Sequence, residues 1–279
     1  MTAGDTIVVN ENDFGKKANY YDGTDDYMLA DAHAVARVAA NDTVGTYTAW
    51  IYVNDVDNSY AILSAGDNNS ADEFLLLTCI SGKLQVHLRD AGANQFIVIE
   101  TTAGISAKTW THVAVVQNGT RPTLYVNGVA SVMTDSTSTD LTMWYDELNL
   151  CDKFAIGVLE SNGTHTSDMK GAIGQVKYWN LALNADEINI EANEHLSHST
   201  VDQTRLDASL QLNFTMDEDG TTDAGLGADN GTLTGHAYYG GLVSDWSYQV
   251  GEDTTGHAAE EINSYPIEDR VQTVIKRGD

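Results

Sequence analysis

Short apolar runs separated by turn residues recur along the chain, and the clearest pair lies at residues 112–117 and 123–126. The polar link between these runs contains Asn-Gly at positions 118–119, and a second Asn-Gly pair follows at 127–128. Asn-Gly tolerates the positive φ angles that tight hairpin turns require. The pattern therefore predicts an antiparallel β-meander, and the continuous apolar character of its first strand predicts burial on both faces.

The same pattern extends through residues 46–101. Further apolar runs lie at residues 60–65, 74–80 and 83–89, each followed by a polar or glycine-containing turn. Turn signals about 8–12 residues apart are typical of a β-sandwich or barrel and not of alternating βαβ units. The sequence therefore predicts an all-β fold.

Residues 184–196 form the one segment that clearly predicts a helix. Asn184 is a favourable N-cap, and Glu187 occupies the third helical position, as in a capping box. Residues 31–44 predict either a short helical turn or a loop, and residues 206–214 predict a further strand. The predicted helical content is therefore small.

The net charge of the chain excludes some classes of partner. The 279 residues include 41 Asp and Glu against 14 Lys and Arg, which gives a net charge of −27. A nucleic-acid duplex or an anionic membrane surface would repel such a protein, so we expect neither partner. Self-repulsion of this size also destabilises a compact state unless salt screens it. The composition predicts adaptation to a high-salt medium, and the alternative is an ordinary acidic protein that binds divalent cations or simply stays soluble.

Neither a membrane span nor a secretory signal is predicted. The sequence has no stretch of about 18 apolar residues, and residues 1–10 lack the basic and apolar segments of a signal peptide. Its two cysteines, Cys79 and Cys151, are too few for a disulfide framework. We expect two buried free thiols, and a single disulfide bridge is the alternative.

Four motifs occur in order along residues 20–195. They are an aromatic-Asp-Gly opening at 21–27, an apolar-aromatic strand at 48–51, Trp-x-His-Val-Ala followed by Leu-Tyr-Val-Asn-Gly at 110–128, and a Gly-x-Ile-Gly-x-Val-x-x-Trp closing pattern that begins at 171. Together they resemble the laminin G-like and pentraxin-like branch of the concanavalin A-like jelly rolls. The resemblance implies a two-sheet antiparallel jelly-roll sandwich with terminal extensions.

The resemblance also implies domain boundaries. Residues 1–18 are predicted to form an N-terminal arm, residues 19–245 the laminin G-like jelly roll, and residues 246–279 a C-terminal arm. Within this unit, residues 206–245 contain a stretch that resembles the usual start of such modules, so they begin a truncated second copy or return to complete the sheets. We favour the return, because too few residues follow position 233 to bury a second core.

Calcium is the one cofactor that the resemblance implies. Pentraxin-like relatives bind it in two loops, which correspond here to positions near Asp67, Asn68, Asp72 and Glu160. Calcium requires six to eight oxygen ligands. The second loop of the relatives carries a Glu-Gln-Asp cluster, of which Glu160 alone remains here. The alternative is a set of solvated acidic loop residues.

Tryptophans on irregular segments are the candidate ligand-binding residues. Trp144 and Trp246 are predicted to be partly exposed, where they would stack on a sugar ring or anchor a protein interface. Trp50, Trp110 and Trp179 lie on predicted strands, and we expect them in the core.

No catalytic motif is predicted, so the protein is expected not to be an enzyme. Relatives that cleave β-glucans use a Glu-x-Asp-x-x-Glu strand, which places both acids on one face at the separation that glycoside chemistry needs. The nearest match, Glu187 to Glu191, is one residue short, lacks the central Asp and lies in the predicted helix. His195 and His198 are expected to be exposed residues and not zinc ligands.

Two functions are therefore predicted. The first is a non-catalytic structural or interaction module on an extracellular-facing assembly. We expect a virion component (capsid, turret or tail) assembled in the cytoplasm and adapted to high salt. Its expected partners are protein subunits of the same assembly, bound through the terminal arms in a homo-oligomer. The alternative is a carbohydrate-binding lectin, with or without calcium, that engages host-surface glycans.

Overall fold

The computed structural model describes residues 6–8, 17–101, 104–193, 196–215, 221–234, 238–241 and 247–249. Within these residues the chain forms twenty strands and three helices. In chain order they are β1 (Thr6–Val8), β2 (Lys17–Asp22), β3 (Tyr27–Leu29), α1 (Asp31–Ala40), β4 (Gly45–Val53), β5 (Ser59–Gly66), β6 (Phe74–Ile80), β7 (Lys83–Asp90), β8 (Ala93–Glu100), β9 (Trp110–Gln117), β10 (Thr123–Val126), β11 (Val129–Ala130), β12 (Met133–Ser138), β13 (Lys153–Ile156), β14 (Leu159–Ser161), β15 (Thr164–Thr166), β16 (Lys170–Trp179), α2 (Ala185–Glu191), α3 (Thr200–Asp207), β17 (Leu210–Phe214), β18 (Thr232–Thr234), β19 (Tyr238–Gly241) and β20 (Ser247–Gln249).

Two large antiparallel sheets form the molecule. Sheet I has the order β11-β10-β9-β4-β16-β2-β19, and β17 also pairs with β16. Sheet II has the order β12-β8-β7-β6-β5-β13-β3-β18. The strand pairs of both sheets are antiparallel. The predicted all-β antiparallel sandwich is therefore confirmed.

The main hydrophobic core lies between the sheets. In β6 it takes every second residue, Leu75, Leu77 and Cys79, and in β7 it takes Leu84 and Val86. Sheet I contributes aromatic and aliphatic residues from β4, β9 and β16 to the same core. Because side chains alternate along a strand, the intervening residues of β6 and β7 lie on the outside of sheet II.

The outside of sheet I is covered in part by the short helices. α2 and α3 lie over a satellite cluster that includes Trp179, Ile188 and Leu206. Trp110 belongs to another cluster on the same side, with Trp50 partly buried beside it. Trp110 and Trp179 are buried as predicted, but outside the main core.

A buried polar network ties α1 to the sandwich. Nε2 of His33 lies 2.8 Å from the Tyr47 hydroxyl oxygen, which lies 2.6 Å from that of Tyr145. Nδ1 of His33 lies 3.4 Å from Oδ2 of Asp229. The network therefore connects a helix, a central strand and two distant loops.

The predicted helix is confirmed and two others are added. Asn184 caps α2 with a complete capping box, although the helix ends at Glu191 and not at residue 196. Residues 31–44 were predicted to form a short helical turn or a loop, and the segment is helical but longer than predicted, since α1 has ten residues. α3 was not predicted, because Leu206 is its one buried residue and so leaves little apolar periodicity.

The segment after α2 adds strands to both sheets. β17 and β19 pair with β16 and β2 of sheet I, and β18 pairs with β3 of sheet II. Of the two terminal arms, β1 and β20 pair with each other. The remaining residues of the arms, apart from those of β2, lie outside the described part of the chain.

Both cysteines are buried and unbonded, as predicted. Burial raises the pKa of the Cys79 thiol to about 11. None of the helices in the described ranges has the length and apolar character needed to cross a bilayer.

Candidate functional site

The outside of sheet II carries a face of mixed chemistry across β6, β7 and β8. Phe74 and Leu76 of β6 lie opposite Arg89 and His87 of β7, and His87 lies opposite Ile97 of β8. Residues that lie opposite each other on paired strands share a face of the sheet. We call this surface the sheet II face. It consists of Phe74, Leu76, Gln85, His87, Arg89, Asn94, Ile97 and Ile99.

One side of the sheet II face is apolar and is bordered by a hairpin. Phe74 and Leu76 are only 7% and 6% exposed although they point away from the core, because Leu159 packs against them. The Ser64 hydroxyl donates a hydrogen bond to the Val158 carbonyl (2.9 Å) and accepts one from the Glu160 N–H (3.2 Å). These bonds hold the β14–β15 hairpin over β5, so the hairpin forms a wall beside the face.

The other side of the face is polar. Nε2 of His87 lies 3.0 Å from Oδ1 of Asn94, and the imidazole packs edge-on against Phe74 at 4.7 Å between ring centroids. Burial lowers the pKa of His87, against the hydrogen bond with Asn94, so a neutral ring is favoured at pH 7. Arg89 donates to the Gly92 carbonyl (2.8 Å), while its buried Nε–H has no hydrogen-bond partner. The face thus offers a guanidinium, an imidazole and an amide next to apolar side chains.

The predicted calcium residues lie at the edge of this face. Asp67 is 4% exposed, and its carbonyl accepts a hydrogen bond from the Asn162 N–H (2.8 Å), which joins the two predicted loops. The N–H of Asn68 donates to the Asp152 carboxylate (2.9 Å). The carbonyl of Asp72 accepts from the Gly92 N–H (3.0 Å). The two loops selected by the resemblance are therefore adjacent in the structure.

The carboxylates of these loops do not converge. The oxygens of Asp67, Asp72 and Glu160 do not all lie within 4.8 Å of one another. Among the described residues, a different group of three acids is the one that meets this condition. The Glu160 carboxylate is buried, 3.6 Å from Nε2 of His165. Burial raises the pKa of Glu160, although His165 and Lys153 oppose the shift. These three carboxylates therefore do not form a cluster in this structure. Calcium binding by the two loops stays a prediction.

The group that meets the distance condition is Asp22, Asp25 and Asp26. They belong to the opening motif and were not predicted as metal ligands. The N–H of Asp22 donates to the Asp26 carboxylate (2.8 Å), and the N–H of Thr24 donates to the Asp22 carboxylate (2.8 Å). These carboxylates therefore also organise their own turn, for which Gly23 supplies a φ of 88°.

The prediction for Trp144 is wrong. Its side chain is fully buried, and its indole N–H donates to the Tyr178 hydroxyl (3.2 Å). The irregular segment that carries Trp144 closes one end of the sandwich, so the ring packs beside Tyr47 and Tyr145. It is not accessible for stacking on a sugar. Trp246 lies outside the described residues.

The acids of α2 have structural partners. Glu187 accepts the Asn184 N–H (2.8 Å) and pairs with Arg205. Glu191 pairs with Lys177 and His198. The helical location is as predicted, but both acids are largely buried and not on an exposed surface.

His198 is also buried, with a side chain only 6% exposed, so the prediction that it is exposed is wrong. A single sequence gives no sign that Glu191 contacts it. His195 lies outside the described residues.

Several solved structures share the fold. The Ruminococcus gnavus IT-sialidase CBM40 bound to α2,3-sialyllactose has a TM-score of 0.50 and 15% identity, over 68% of this chain and 97% of that chain. A leech intramolecular trans-sialidase has a TM-score of 0.54 and 16% identity, over 66% of this chain and 28% of that one. A Bacteroides ovatus protein, provisionally described as a carbohydrate binding protein, has a TM-score of 0.50 and 17% identity, over 84% of this chain and 61% of that chain. At these identities the similarity establishes the fold.

The family follows from the sequence profile. No curated protein sequence matches the chain. The profile described as the concanavalin A-like lectin/glucanases superfamily, laminin G type, matches residues 22–189, which is more than half of the chain. The resemblance identified from the four motifs is thereby confirmed. This protein belongs to the concanavalin A-like lectin/glucanases superfamily.

Proposed function

We propose that this protein binds carbohydrate on the sheet II face. The observation that carries the proposal is the combination of the partly exposed apolar residues Ile97 and Ile99 with the His87–Asn94 pair and Arg89. Small-molecule sites typically combine apolar walls with a few polar groups that fix orientation. The similar folds include one bound to sialyllactose and one described as carbohydrate-binding, which supports the proposal.

Each part of the face has a role in this proposal. The C–H side of a sugar ring packs on Ile97 and Ile99, while its hydroxyls bond to His87 and Asn94. The partly exposed guanidinium of Arg89 donates to a hydroxyl or carboxylate of the glycan. The outward positions of β6 are Phe74, Leu76, Thr78 and Ile80. None of them is an acid, and we propose binding without catalysis.

Glycan binding can be tested directly with the full chain. A glycan array, followed by calorimetry with α2,3-sialyllactose and with lactose, measures which class binds. We expect His87→Ala and Arg89→Gln to weaken binding at least about tenfold, because each removes a polar contact in the site. Lys83→Ala, at the exposed end of the same strand and face, is the matched control and should bind normally. If no glycan binds, or if binding survives both substitutions, the proposal fails.

Other predictions are kept as proposals of lower rank. Calcium dependence of glycan binding is tested by adding a chelator. Asp22→Asn tests whether the turn that carries Asp22, Asp25 and Asp26 contributes to that dependence. The roles as a virion component, as a homo-oligomer and in a high-salt medium stay predictions, and so does the location on an extracellular-facing particle. Sizing of the full chain and of a form without residues 1–18 and 249–279 tests assembly through the arms.

A further inference from the structure

A polar cavity lies on the opposite side of the sandwich from the sheet II face. It is open to solvent and has a volume of about 400 Å³, and it lies where α2 and α3 pack near the outside of sheet I. This volume is within the range of roughly 300–1,000 Å³ that is typical of small-molecule sites. Its polar lining includes Gln175, Lys177, Glu191, His198 and Asn213.

An irregularity in β16 opens the cavity. β2 pairs with the first part of β16 and β17 with its last part, along the same edge. Between them the register against β4 shifts at Gly174 to Lys177, and Gln175 adopts a φ of 49°. A bulge of this kind redirects a side chain and interrupts pairing, and bulges are common beside functional sites. The bulge in β16 places Gln175 in the wall of the cavity.

A buried ionic group forms the polar centre. Lys177 Nζ lies 2.6 Å from Glu191 Oε2, and His198 Nε2 lies 2.9 Å from Glu191 Oε1. The Glu191 side chain is 11% exposed. Burial acts to raise its pKa, but Lys177 and His198 lower the pKa overall, so the carboxylate stays charged. Each carboxylate oxygen has a second lone pair, so Glu191 can accept further hydrogen bonds.

Asn213 supplies an acceptor that the protein leaves unused. It lies opposite Lys177 in the β16–β17 pair, so both side chains are on the face that borders the cavity. Its Oδ1 atom is buried and has no hydrogen-bond partner, while its backbone N–H is bonded to Asp223 (2.7 Å). A buried acceptor without a hydrogen-bond donor lowers the stability of the folded state. A ligand with a hydrogen-bond donor would remove that loss of stability.

We propose that this cavity binds one neutral, hydroxyl-rich small molecule, a free monosaccharide or polyol. Its hydroxyls would donate to Asn213 Oδ1 and Glu191 and accept from Lys177. An apolar ligand would leave Asn213 unsatisfied, and an anion would meet the Glu191 carboxylate in a chain of net charge −27. The inference goes beyond the proposed function, because it places a second site on the opposite sheet with residues that the sheet II face does not use.

Calorimetry and side-chain amide NMR of the full chain test the proposal. The probes are glucose, galactose, N-acetylglucosamine and myo-inositol, each added to about 100 mM, which nearly fills a site of millimolar Kd. We expect saturable binding of at least one probe and a chemical-shift change at the Asn213 side-chain amide. Asn213→Ala and Gln175→Ala should each weaken this binding at least about tenfold.

Two control variants keep the result decisive. Gln211→Ala changes the same strand and face as Asn213 but lies outside the cavity lining, and it should leave binding unchanged. His87→Ala on the sheet II face should also leave this binding unchanged, which separates the two sites. The proposal is overturned if none of the probes saturates, or if binding persists in Asn213→Ala. Circular dichroism of each variant verifies that it is folded.

Discussion

At the scale of single residues, Gly171 shows how closely strands approach within sheet I. Its φ is 149°, and a Cβ atom there would overlap the carbonyl oxygen of Tyr52 on the neighbouring strand. Relief of that overlap requires movement of the backbone, which a central sheet resists. In the sequence Gly171 is only one position of a motif. The structure shows why a glycine is required there.

Gly171→Ala is therefore expected to lower the free energy of unfolding by at least about 2 kcal/mol, since both backbone strain and overlap act. Urea unfolding measures the change. Gly104→Ala is the control, because the nearest atom to its added Cβ is 3.4 Å away. That substitution should change stability by less than about 0.5 kcal/mol. Equal losses in the two variants would contradict this explanation.

His33 gives a pH-dependent prediction. Burial lowers its pKa, and Arg37 adds to the shift, while Asp229 and Asp223 oppose it. The folded protein therefore keeps a neutral imidazole, whereas the unfolded chain takes up a proton below about pH 6.5. Because the unfolded state then binds more protons, this residue makes the free energy of unfolding fall as pH drops below about 6.5.

Urea unfolding at about pH 7.5 and 5.5 measures this effect. We expect the wild type to lose about 1 kcal/mol more than His33→Gln over this interval, since one pH unit below the unfolded pKa costs about 1.4 kcal/mol. The comparison cancels the contribution of the carboxylates, which are common to both proteins. The same loss in both would show that His33 is protonated in the folded state.

At the scale of elements, α2 depends on its N-terminal cap. The Asn184 side chain accepts hydrogen bonds from the Asp186 and Glu187 N–H groups, and Glu187 bonds back to the Asn184 N–H. We expect Asn184→Ala to lower the free energy of unfolding by about 1 kcal/mol, because these N–H groups lose their partner. Asn189→Ala, at an exposed position within the helix, is the control and should be neutral or slightly stabilising. A smaller loss at Asn184 than at Asn189 would contradict the capping role.

Elements with a strong local signal were predicted, and those without one were not. The strands of sheet II alternate or form continuous apolar runs, so the sequence revealed them. α3 has one buried residue, Leu206, and is held by its packing over sheet I. Its Ser199 cap is a common residue in polar loops too, so it carries little information by itself. Local pattern therefore fails where tertiary contacts alone stabilise a helix.

At the scale of the whole molecule, the net charge of −27 predicts a strong response to salt. Between about 0.01 M and 1 M NaCl the Debye length falls from about 30 Å to 3 Å, which screens the repulsion between carboxylates. We expect the Tm to rise by at least about 5 °C over this range. Scanning calorimetry measures it. Near pH 4.3, the isoelectric point, the increase should largely vanish, and an equal increase at both pH values would contradict the electrostatic cause.

The residues of the sheet II face were not predicted from the sequence, although two of the predicted calcium ligands lie beside it. Asp67 and Glu160 were selected by resemblance, and they do border the face. No sequence motif marks His87 and Asn94. Their proximity depends on the β7–β8 pairing and on which side of the sheet the core occupies, and a local pattern does not show either. The prediction that Trp144 is partly exposed was wrong for the same reason, because its hydrogen-bond partner Tyr178 is distant in sequence.

What the amino-acid sequence determined by itself was the periodicity of the strands, the cap of α2, the family and the overall charge, since each depends on neighbouring residues or on composition. What only the tertiary structure decided was which polar groups meet. The Lys177–Glu191–His198 group and the Oδ1 atom of Asn213, which has no hydrogen-bond partner, are brought together by a strand bulge and two packed helices. Long-range packing sets those distances, and no local pattern encodes them.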